Sequence, residues 1–393
     1  MTIRAPSNGS ILLHGGYPHV GSRCVHHRQP TFDARYPGAL SVTRESDGKL
    51  ALTVTLPFER YLEGIAEVPP SWPAAALQAQ AVAARSFALA QTGWGGKQGA
   101  TLATPICSTT SCQVYRGIPV TPEAGIGRWY DAVRATAGKV LLYRGRPADT
   151  VYFSTSNGHT LGNDQVFGSA PLPYLRPVTE HDDAASPEAH WKATLPFPDL
   201  ARFLRTAGEW PSGKGISNVT RHGGTVVVSG HGASRSLSVT SFRTAVNAWA
   251  PCLEPNRYPP QSSKGTTLPV TVPSGWFRLS QGNGSVTAFG RGWGHGVGMV
   301  QWGAYGKAKR GLSAAQILAF YYGGLTPKGY PEPGLIHVEV ASGLISLTIV
   351  PSAPGATVGG QALGIGESVV ITGGSRLTVT TRPPPAPSPT GSP

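Results

Sequence analysis

Alternating hydrophobic and polar residues near the N-terminus predict a β-hairpin. In the segment GALSVTRESDGKLALTVTLPF, hydrophobic and polar residues alternate at most positions, as a strand with one buried face requires. The residues SDGK interrupt this alternation and favour a tight turn. We therefore expect SVTRE and LALTVTL to pair as antiparallel strands.

The hydrophobic period then becomes helical. Phe58, Tyr61, Leu62 and Ile65 would share one face of a short helix over residues 58–67. The following Val-Pro-Pro cannot continue a helix, because proline lacks the amide hydrogen and clashes with the preceding turn.

A second helix is expected directly after the prolines. Ser71 is predicted to cap it, Pro73 is tolerated in its first turn, and the alanine-rich run AAALQAQAVAARSFALAQ continues to Gly93. Glu67 would then stand in the last turn of the first helix.

The rest of the chain predicts a mixed α+β protein. Residues 139–143 and 150–156 read as strands, and residues 192–258 alternate between strand and helix patterns. Ser313 and Gln316 form a capping-box pattern before a helix. High glycine (51) and proline (36) counts indicate many turns.

The net charge of +13 limits the classes of partner that we expect the protein to bind. Lysines and arginines are scattered without a basic run, so nucleic acid is not expected, whereas an anionic membrane or a bacterial cell wall suits the charge. No apolar stretch reaches the ~18 residues of a membrane span. MTIRAPSNGSILLHGG lacks a signal-peptide core, so we expect an extracellular protein whose secretion signal is not present in this chain.

The four cysteines allow two interpretations. Cys107 and Cys112 are close enough in sequence to bridge, which would leave Cys24 to pair with Cys252. Alternatively, Cys107 and Cys112 could give two thiolates to zinc, with a distant residue such as His159 completing the site.

Glu67 is a candidate general acid. A carboxylate at a helix C-terminus is disfavoured by about 0.3–1 kcal/mol, which is less than the ~1.4 kcal/mol of one pKa unit. Burial against Trp72, Tyr61 or Val68 would raise the pKa further. A protonated carboxyl is what cleavage of a glycosidic bond uses; the alternative is a solvated glutamate that merely ends a helix.

Two further stretches carry candidate chemistry. In GRGWGHGVGMVQWGAYG the glycines alternate from 290 to 298, which predicts a strand lying against another backbone or a sugar ring and presenting Trp293 and His295. Plain close packing is the other interpretation. VYFSTSNGHT offers Ser154 and His159, but without a GxSxG motif it does not predict a hydrolase triad.

Four motifs together resemble the SpoIID/LytB family. They are LPFERYLEGIAEVPPSWPAAALQAQAVAARSFAL, CQVYRG, VYFSTSNGHT followed by PYLRPV, and GRGWGHGVGMVQWGAYGKAKRG followed by ILAFYYGG. The resemblance covers residues 40–326 and implies an α+β, strand-rich, two-lobed body with few helices and a glycan groove. We expect one lobe at about 192–258, an N-terminal extension over 1–39, a small β appendage over 327–381 and a disordered Pro-rich tail over 382–393.

The resemblance implies a peptidoglycan lytic transglycosylase, which cleaves MurNAc–GlcNAc strands to 1,6-anhydro-MurNAc ends. Glu67 matches the catalytic glutamate of the family, in Glu67-Val68-Pro69 where the family has Glu-Met-Pro. One glutamate would act as acid and then base, because the sugar's own 6-hydroxyl replaces water. The alternative is a non-catalytic glycan-binding enhancer of an N-acetylmuramoyl-L-alanine amidase, which would then be a partner.

Other motif positions are expected to line the glycan groove or to hold Glu67. They are Gln80, Arg85, Tyr115, Ser154, His159, Trp293, His295 and Gln301. Some family members carry a zinc site of Cys and His near the QVY motif. Here Ser111 stands before Cys112 where a histidine would help, so we expect no cofactor at Cys107 and Cys112, with zinc as the weaker alternative.

Overall fold

The computed structural model describes most of the chain. The described residues are 1–5, 10–13, 34–119, 123–258, 261–263, 266–268, 271–351 and 354–383. Cys24 and most of the predicted Pro-rich tail lie outside them. The described residues contain eight helices: α1 (Phe58–Glu63), α2 (Ala74–Gln91), α3 (Ile126–Ala135), α4 (Asn163–Phe167), α5 (Phe197–Thr206), α6 (Val239–Leu253), α7 (Gln301–Lys309) and α8 (Ala314–Tyr321). The α+β class is confirmed.

A seven-stranded sheet forms the centre of the first lobe. Its strands, in spatial order, are Gln361–Ala362, Thr357–Val358, Thr2–Arg4, Ala39–Arg44, Leu50–Pro57, Leu335–Leu344 and Ile106–Cys107. The predicted hairpin is confirmed, since Ala39–Arg44 and Leu50–Pro57 pair as antiparallel neighbours.

The C-terminal segment contributes to this same sheet. Leu335–Leu344 pairs antiparallel with Leu50–Pro57, and Ile336 and Val338 share one core with Val54. The alternating apolar residues of this strand are buried in the same core as those of its neighbour, so the strand is part of the central sheet. This differs from the expected appendage over 327–381, and Thr2–Arg4 likewise ties the expected N-terminal extension to the sheet.

The remaining strands form small sheets. Three-stranded sheets are, in spatial order, Ser10–Leu13 with Ala34–Pro37 and Ile118–Pro119; Trp191–Pro196 with Ser285–Gly290 and Phe277–Gly282; Asn218–His222 with Thr225–Gly230 and Ala233–Ser238; and Ser346–Ile349 with Ser368–Thr372 and Thr378–Arg382. Paired strands are Lys139–Val140 with Lys328–Gly329, Leu142–Tyr143 with Arg146–Pro147, Tyr152–Phe153 with Met299–Val300, and Gln261–Ser263 with Thr266–Leu268.

The second lobe has its own hydrophobic core. Helices α5 and α6 pack together with two of the three-stranded sheets, and the buried residues run from Leu195 to Ala288. From the sequence we expected this lobe at about 192–258. The structure adds the hairpin Phe277–Gly290 to it, because Ser285–Gly290 pairs along the whole of Trp191–Pro196.

Helix α2 runs between two cores of the first lobe. Ala76 and Ala84 belong to the core under the central sheet, while Ala79 and Val82 pack in a separate core. The predicted cap at Ser71 is wrong, since the N-cap residue is Pro73 and no side chain caps the helix. The fixed φ of a proline already suits a helix start.

Helix α1 ends earlier than the sequence predicts. Its last residue is Glu63, and Gly64 follows as the C-cap. A side chain at Gly64 would meet the Tyr115 ring at 2.3 Å, and the chain beyond it pairs with the segment around Tyr115 instead of continuing a helix. Glu67 therefore lies outside helix α1, and the helix dipole does not act on it as expected.

The glycine-rich stretch is a loop rather than the predicted strand. Gly292, Gly294, Gly296 and Gly298 all have positive φ, and each lies against the segment 151–161 or its neighbours. At Gly298, with φ of +77°, an added Cβ would lie 2.0 Å from the carbonyl oxygen of Val151. The alternation therefore reflects close packing of two backbones.

Replacing Gly298 tests this close approach. We expect Gly298→Ala to lower the free energy of unfolding, measured in urea. The positive φ disfavours a residue with a Cβ, and the Val151 carbonyl occupies the space that the Cβ would need. The matched control is Gly284→Ala, at φ +75° with open space around it. The control carries only the left-handed strain, roughly 1–2 kcal/mol. Gly298→Ala should cost at least about 1 kcal/mol more; equal losses would contradict the packing argument.

Candidate active site

Glu67 lies in a short segment that pairs with residues 114–116. The amide of Ala66 donates to the carbonyl of Val114 at 2.9 Å, and the amide of Arg116 donates to the carbonyl of Gly64 at 2.9 Å. The amide of Val114 donates to Glu67 Oε1 at 2.7 Å. The backbone opposite Glu67 thus fixes one oxygen of its carboxyl group.

The carboxyl of Glu67 is set in a partly buried, largely neutral environment. Burial raises its pKa above the ordinary value of 4.5. The hydrogen bonds from Val114 and from the Gln301 side chain, with the positive charge of Arg116, oppose this and lower the pKa. Desolvation is the largest of these effects, so the neutral acid persists to higher pH than in an exposed glutamate.

A buried polar network lies around this carboxyl. The Gln301 amide donates to Gln80 Oε1 at 3.4 Å, so Gln301 contacts both Glu67 and helix α2. The Tyr152 hydroxyl donates to Gln113 Oε1 at 2.7 Å, and Gln113 Nε2 donates to the Tyr61 hydroxyl at 2.9 Å. Burial and the nearby Glu67 hold the pKa of Tyr152 well above its ordinary value, so its phenol stays protonated.

Three aromatic rings cluster beside this network. Ring centroids are 4.9 Å apart for Trp72 and Trp302, 5.3 Å for Trp72 and Tyr305, and 5.4 Å for Trp302 and Tyr305. Trp72 is buried, while Trp302 and Tyr305 are half-buried. Trp302 directly follows Gln301 at the start of α7, and the half-buried rings of Trp302 and Tyr305 offer partly accessible apolar faces.

His295 is locked in place by backbone groups. Its Nδ1 accepts from the amide of Val297 at 3.1 Å, so the proton resides on Nε2, which donates to the Tyr152 carbonyl at 2.9 Å. Burial lowers the pKa of His295 to about 4. Since both nitrogens are occupied, the imidazole is neutral and holds the glycine loop against Tyr152 rather than presenting a base.

Three other predicted site residues lie along the same pair of segments. Trp293 and Thr155 exchange backbone hydrogen bonds at 2.8 and 3.0 Å, and the Trp293 side chain is half-buried. The Ser154 carbonyl accepts from the amide of Trp302 at 3.0 Å. His159 is exposed and bridges Thr179 through its backbone.

The structure does not bring Arg85 to Glu67. Arg85 is fully buried and makes a bidentate ion pair with Glu59, at 2.9 Å for both bonds. Its Nε also lies 3.2 Å from Glu332, whose pKa rises to about 7 through burial and the neighbouring Glu59. Arg85 therefore joins α2 to α1 and to the chain just before the strand Leu335–Leu344 of the central sheet.

Tyr115 also serves the fold. It is fully buried, and its ring lies 5.2 Å from the Tyr61 ring and 6.0 Å from the Tyr36 ring. Its backbone pairs with Ile65, which sets the two segments that hold Glu67 side by side.

The cysteine prediction is confirmed at Cys107 and Cys112, which form a disulfide with a Cα–Cα distance of 5.6 Å. Two sulfurs bonded to each other cannot act as zinc thiolates, and the described residues contain no group of three or more potential metal ligands. Cys252 is disulfide-bonded, while its predicted partner Cys24 lies outside the described residues.

Sequence reasoning missed several residues that contact the site. Three of them lie inside motifs in which other residues were predicted to form the site: Gln113, Val114 and Tyr152. Two more, Trp302 and Tyr305, follow the glycine-rich loop. The available signals were the i, i+3 spacing of Trp302 and Tyr305 on one helix face, and the polar Gln113 between apolar neighbours. A backbone donor such as Val114 leaves no signal in its side chain.

Comparisons with known proteins relate this chain to one family. The profile of the stage II sporulation protein family, SpoIID, matches residues 46–143, which include Glu67, Gln80 and Val114. No helix among the described residues is long and apolar enough to cross a membrane.

Several curated proteins align over most of this chain. It is 31% identical over 296 residues to an uncharacterized protein of Brachyspira hyodysenteriae, with 74% of this chain and 71% of that protein covered. It is 29% identical over 280 residues to stage II sporulation protein D of Bacillus subtilis, with 68% and 74% covered. It is 28% identical over 296 residues to the amidase enhancer of Bacillus subtilis, covering 67% of this chain but only 39% of that protein. Given this coverage and the shared motifs, the chain belongs to the SpoIID/LytB family.

Proposed function

We propose that this protein is a lytic transglycosylase of peptidoglycan, with Glu67 as general acid and then general base. The observation that carries the proposal is the Glu67 carboxyl: one oxygen is fixed by the Val114 amide, and burial raises its pKa. A positioned, protonated carboxyl is the group that cleavage of a glycosidic bond requires.

The reaction needs one such group. Protonated Glu67 gives its proton to the glycosidic oxygen as the bond from that oxygen to the anomeric carbon of MurNAc breaks. The 6-hydroxyl of the same MurNAc then bonds to the anomeric carbon, and its proton passes to the Glu67 carboxylate. The acid is regenerated, no water is consumed, and a second carboxylate is unnecessary, unlike in ordinary glycosidases.

Neighbouring side chains support a carbohydrate ligand. The half-buried rings of Trp302 and Tyr305, on the helix that Gln301 begins, offer flat apolar surfaces, which suit the C–H faces of sugar rings. The Gln301 amide holds both Glu67 and Gln80. The net charge of +13 complements the anionic bacterial wall, which supports an extracellular location.

The second candidate is a glycan-binding enhancer of a cell-wall amidase. A relative named amidase enhancer favours it, although this chain covers only 39% of that protein. An enhancer does not need a carboxyl with a raised pKa, so the environment of Glu67 favours the enzyme.

Glu67→Gln separates the two functions. On peptide-free glycan strands, we expect wild type to release fragments with 1,6-anhydro-MurNAc ends, identified by mass spectrometry. The variant should lose at least about a hundredfold in rate, because loss of general acid catalysis costs ~10²–10⁴-fold.

Glu63→Gln is the matched control. It makes the same chemical change at the end of α1, where Glu63 pairs with the exposed Arg60, and it should keep wild-type activity. If neither wild type nor Glu67→Gln cleaves strands while both bind them and stimulate an added amidase, the enhancer replaces the enzyme.

The raised pKa of Glu67 also predicts a pH-dependent stability. Because the folded pKa lies above that of the unfolded chain, the folded state holds this proton more tightly. Wild type therefore loses stability as pH rises from the unfolded value near 4.5 through the folded pKa. The glutamine of the Glu67→Gln variant can still accept from the Val114 amide but has no proton to lose. In urea unfolding between about pH 4 and about pH 8, Glu67→Gln should gain stability relative to wild type as pH rises.

The size of the gain reports the pKa difference, at about 1.4 kcal/mol for each unit. A constant difference between Glu67→Gln and wild type at every pH would contradict the raised pKa.

A further inference from the structure

We propose that the outward face of one small sheet in the second lobe binds the phosphodiester-linked anionic polymers of the bacterial wall. The sheet consists of Trp191–Pro196, Ser285–Gly290 and Phe277–Gly282, and we call its outward side the cationic face. The proposal goes beyond the proposed function and does not depend on it, because it concerns attachment to the wall rather than cleavage of a glycan strand.

The alternation along the strands separates the two sides of this sheet. On the inward side, Leu195, Ala288 and Phe277 are buried in the core that α5 and α6 share. The alternate positions carry polar or charged side chains and one aromatic ring, and they are exposed or half-buried. They are Lys192, Thr194, Thr287, Phe289, Arg278 and Ser280.

The strand registers place three of these side chains in one row. Phe289 pairs with Lys192 on one side and with Arg278 on the other, so the ring stands between two cations. The Cα atoms of Lys192 and Arg278 are thus two strand spacings apart, about 10 Å. The guanidinium carbon of Arg278 lies 4.5 Å from the centroid of the Phe289 ring.

A third cation extends this row. Arg291 lies two residues after Phe289, and its amide still donates to the carbonyl of Trp276 at 3.0 Å, so the alternation of the strand continues to Arg291. The Arg291 side chain is exposed. The next residue, Gly292, begins the glycine-rich loop, so the row ends beside that loop.

These cations have no acidic partner among the described residues. Apart from the contact of Arg278 with the Phe289 ring, no hydrogen bond or ion pair joins the side chains of Lys192, Arg278 or Arg291 to another described residue. Two acids of the lobe pair elsewhere, Asp199 with Arg257 and Glu254 with Arg202. Three positive charges therefore face solvent on one small sheet whose outward positions carry no acid.

The Phe289 ring prepares Arg278 to bind an anion. Stacking on a ring holds the guanidinium flat and leaves the N–H groups at its edge free. That edge matches two oxygens of a phosphate with two parallel hydrogen bonds, and less side-chain freedom is lost when it binds. In the next row the hydroxyls of Thr194 and Thr287, 3.0 Å apart, offer further hydrogen bonds to a polyol or sugar phosphate chain.

Other polyanions fit this face less well. Single-stranded nucleic acid binds where several rings stack successive bases, whereas this face has one ring with Arg278 over it. A membrane surface takes up a broad apolar face, and the neighbours of Phe289 here are cations and hydroxyls.

A wall polymer matches the row of charges. Each repeat of a phosphodiester chain carries a negative charge, so successive repeats can meet Lys192, Arg278 and Arg291 together, while the carboxylates of stem peptides are spread along a glycan strand. Proteins of this family act on the cell wall or in sporulation, which brings the face to such polymers.

The first test measures binding of synthetic poly(glycerol phosphate) by calorimetry. We expect Lys192→Thr/Arg278→Thr to raise the Kd about tenfold or more at low salt. The variant should also lower the dependence of the Kd on salt between about 50 and about 200 mM, because fewer counterions are released. Phe289→Thr keeps all three charges but frees Arg278, and it should raise the Kd about twofold to fivefold.

Lys214→Thr/Arg235→Thr is the matched control. It removes one lysine and one arginine from exposed positions of the same lobe, away from the cationic face, and its Kd should stay within about twofold of wild type. Equal weakening by the two double variants would overturn the proposal, because net charge rather than the face would then set the affinity. Absence of binding by folded wild type, checked by circular dichroism, would overturn it as well.

The second test identifies the source of the phosphate with whole walls that carry poly(glycerol phosphate). Glu67→Gln is used throughout so that the walls stay intact, and binding is measured by sedimentation. It should bind these walls more tightly than walls stripped of phosphodiester polymers with hydrofluoric acid. Adding Lys192→Thr/Arg278→Thr should lower binding to the level of the stripped walls.

Equal binding to intact and stripped walls would overturn the proposal in favour of peptidoglycan itself. Tighter binding of single-stranded DNA or of phosphatidylglycerol vesicles than of poly(glycerol phosphate), weakened by the same double variant, would replace the wall polymer with nucleic acid or membrane. Neither test depends on cleavage. Wild type that binds poly(glycerol phosphate) through this face but cleaves no strands would end the proposed function and leave the cationic face standing.

Discussion

The burial of helix α2 from Ala79 to Leu89 is the constraint on which the rest of the structure depends. Its alanines let two cores pack close against opposite sides, so Gln80 and Arg85 have no access to solvent and must find partners inside the protein. Gln80 meets Gln301, and Arg85 meets Glu59 and Glu332. Because an unpaired buried polar group costs about 1–3 kcal/mol, these partners fix where the surrounding segments lie.

The same helix relates the candidate acid to the fold. The side chain of Gln301, at the start of α7, hydrogen-bonds both Gln80 of α2 and Glu67. The carboxyl is thereby placed by two independent parts of the protein, the 114–116 segment and α7. Opposing effects act on its pKa, with burial prevailing over two hydrogen bonds and one cation, so the neutral form of the carboxyl persists to higher pH than in an exposed glutamate.

Much of the fold could be predicted from local pattern. The hairpin around SDGK, the span of α2 and the Ser313–Gln316 capping box follow from side-chain periodicity and turn chemistry. The end of α1 could not, because the Tyr115 ring that closes on Gly64 comes from a residue about fifty positions later. The membership of Leu335–Leu344 in the central sheet depends on a still longer separation, which no local pattern encodes.

In the candidate site too, local sequence predicts some features, while others depend on residues far away in the chain. Glu67 stood out through its motif, and Gln80 and Gln301 through their positions, but local sequence could not separate them from Arg85, whose partners in α1 and near Glu332 are remote. From the sequence, His295 was expected to line the groove or to hold Glu67, and only the amide of Val297 and the carbonyl of Tyr152 reveal that both its nitrogens are engaged by the backbone.

The second lobe has a consequence for the order of folding. It is inserted between the two segments that build the glycine loop and its partner, residues 151–161 and 291–298. Closing so long a chain segment carries an entropic cost that grows with its length. The lobe's first strand and last strand pair with Trp191 opposite Gly290, so a folded lobe brings its two ends together. Folding of the lobe thus turns a long closure into a short one, and the glycine loop and its partner segment can assemble after the lobe, late in folding, at a small entropic cost.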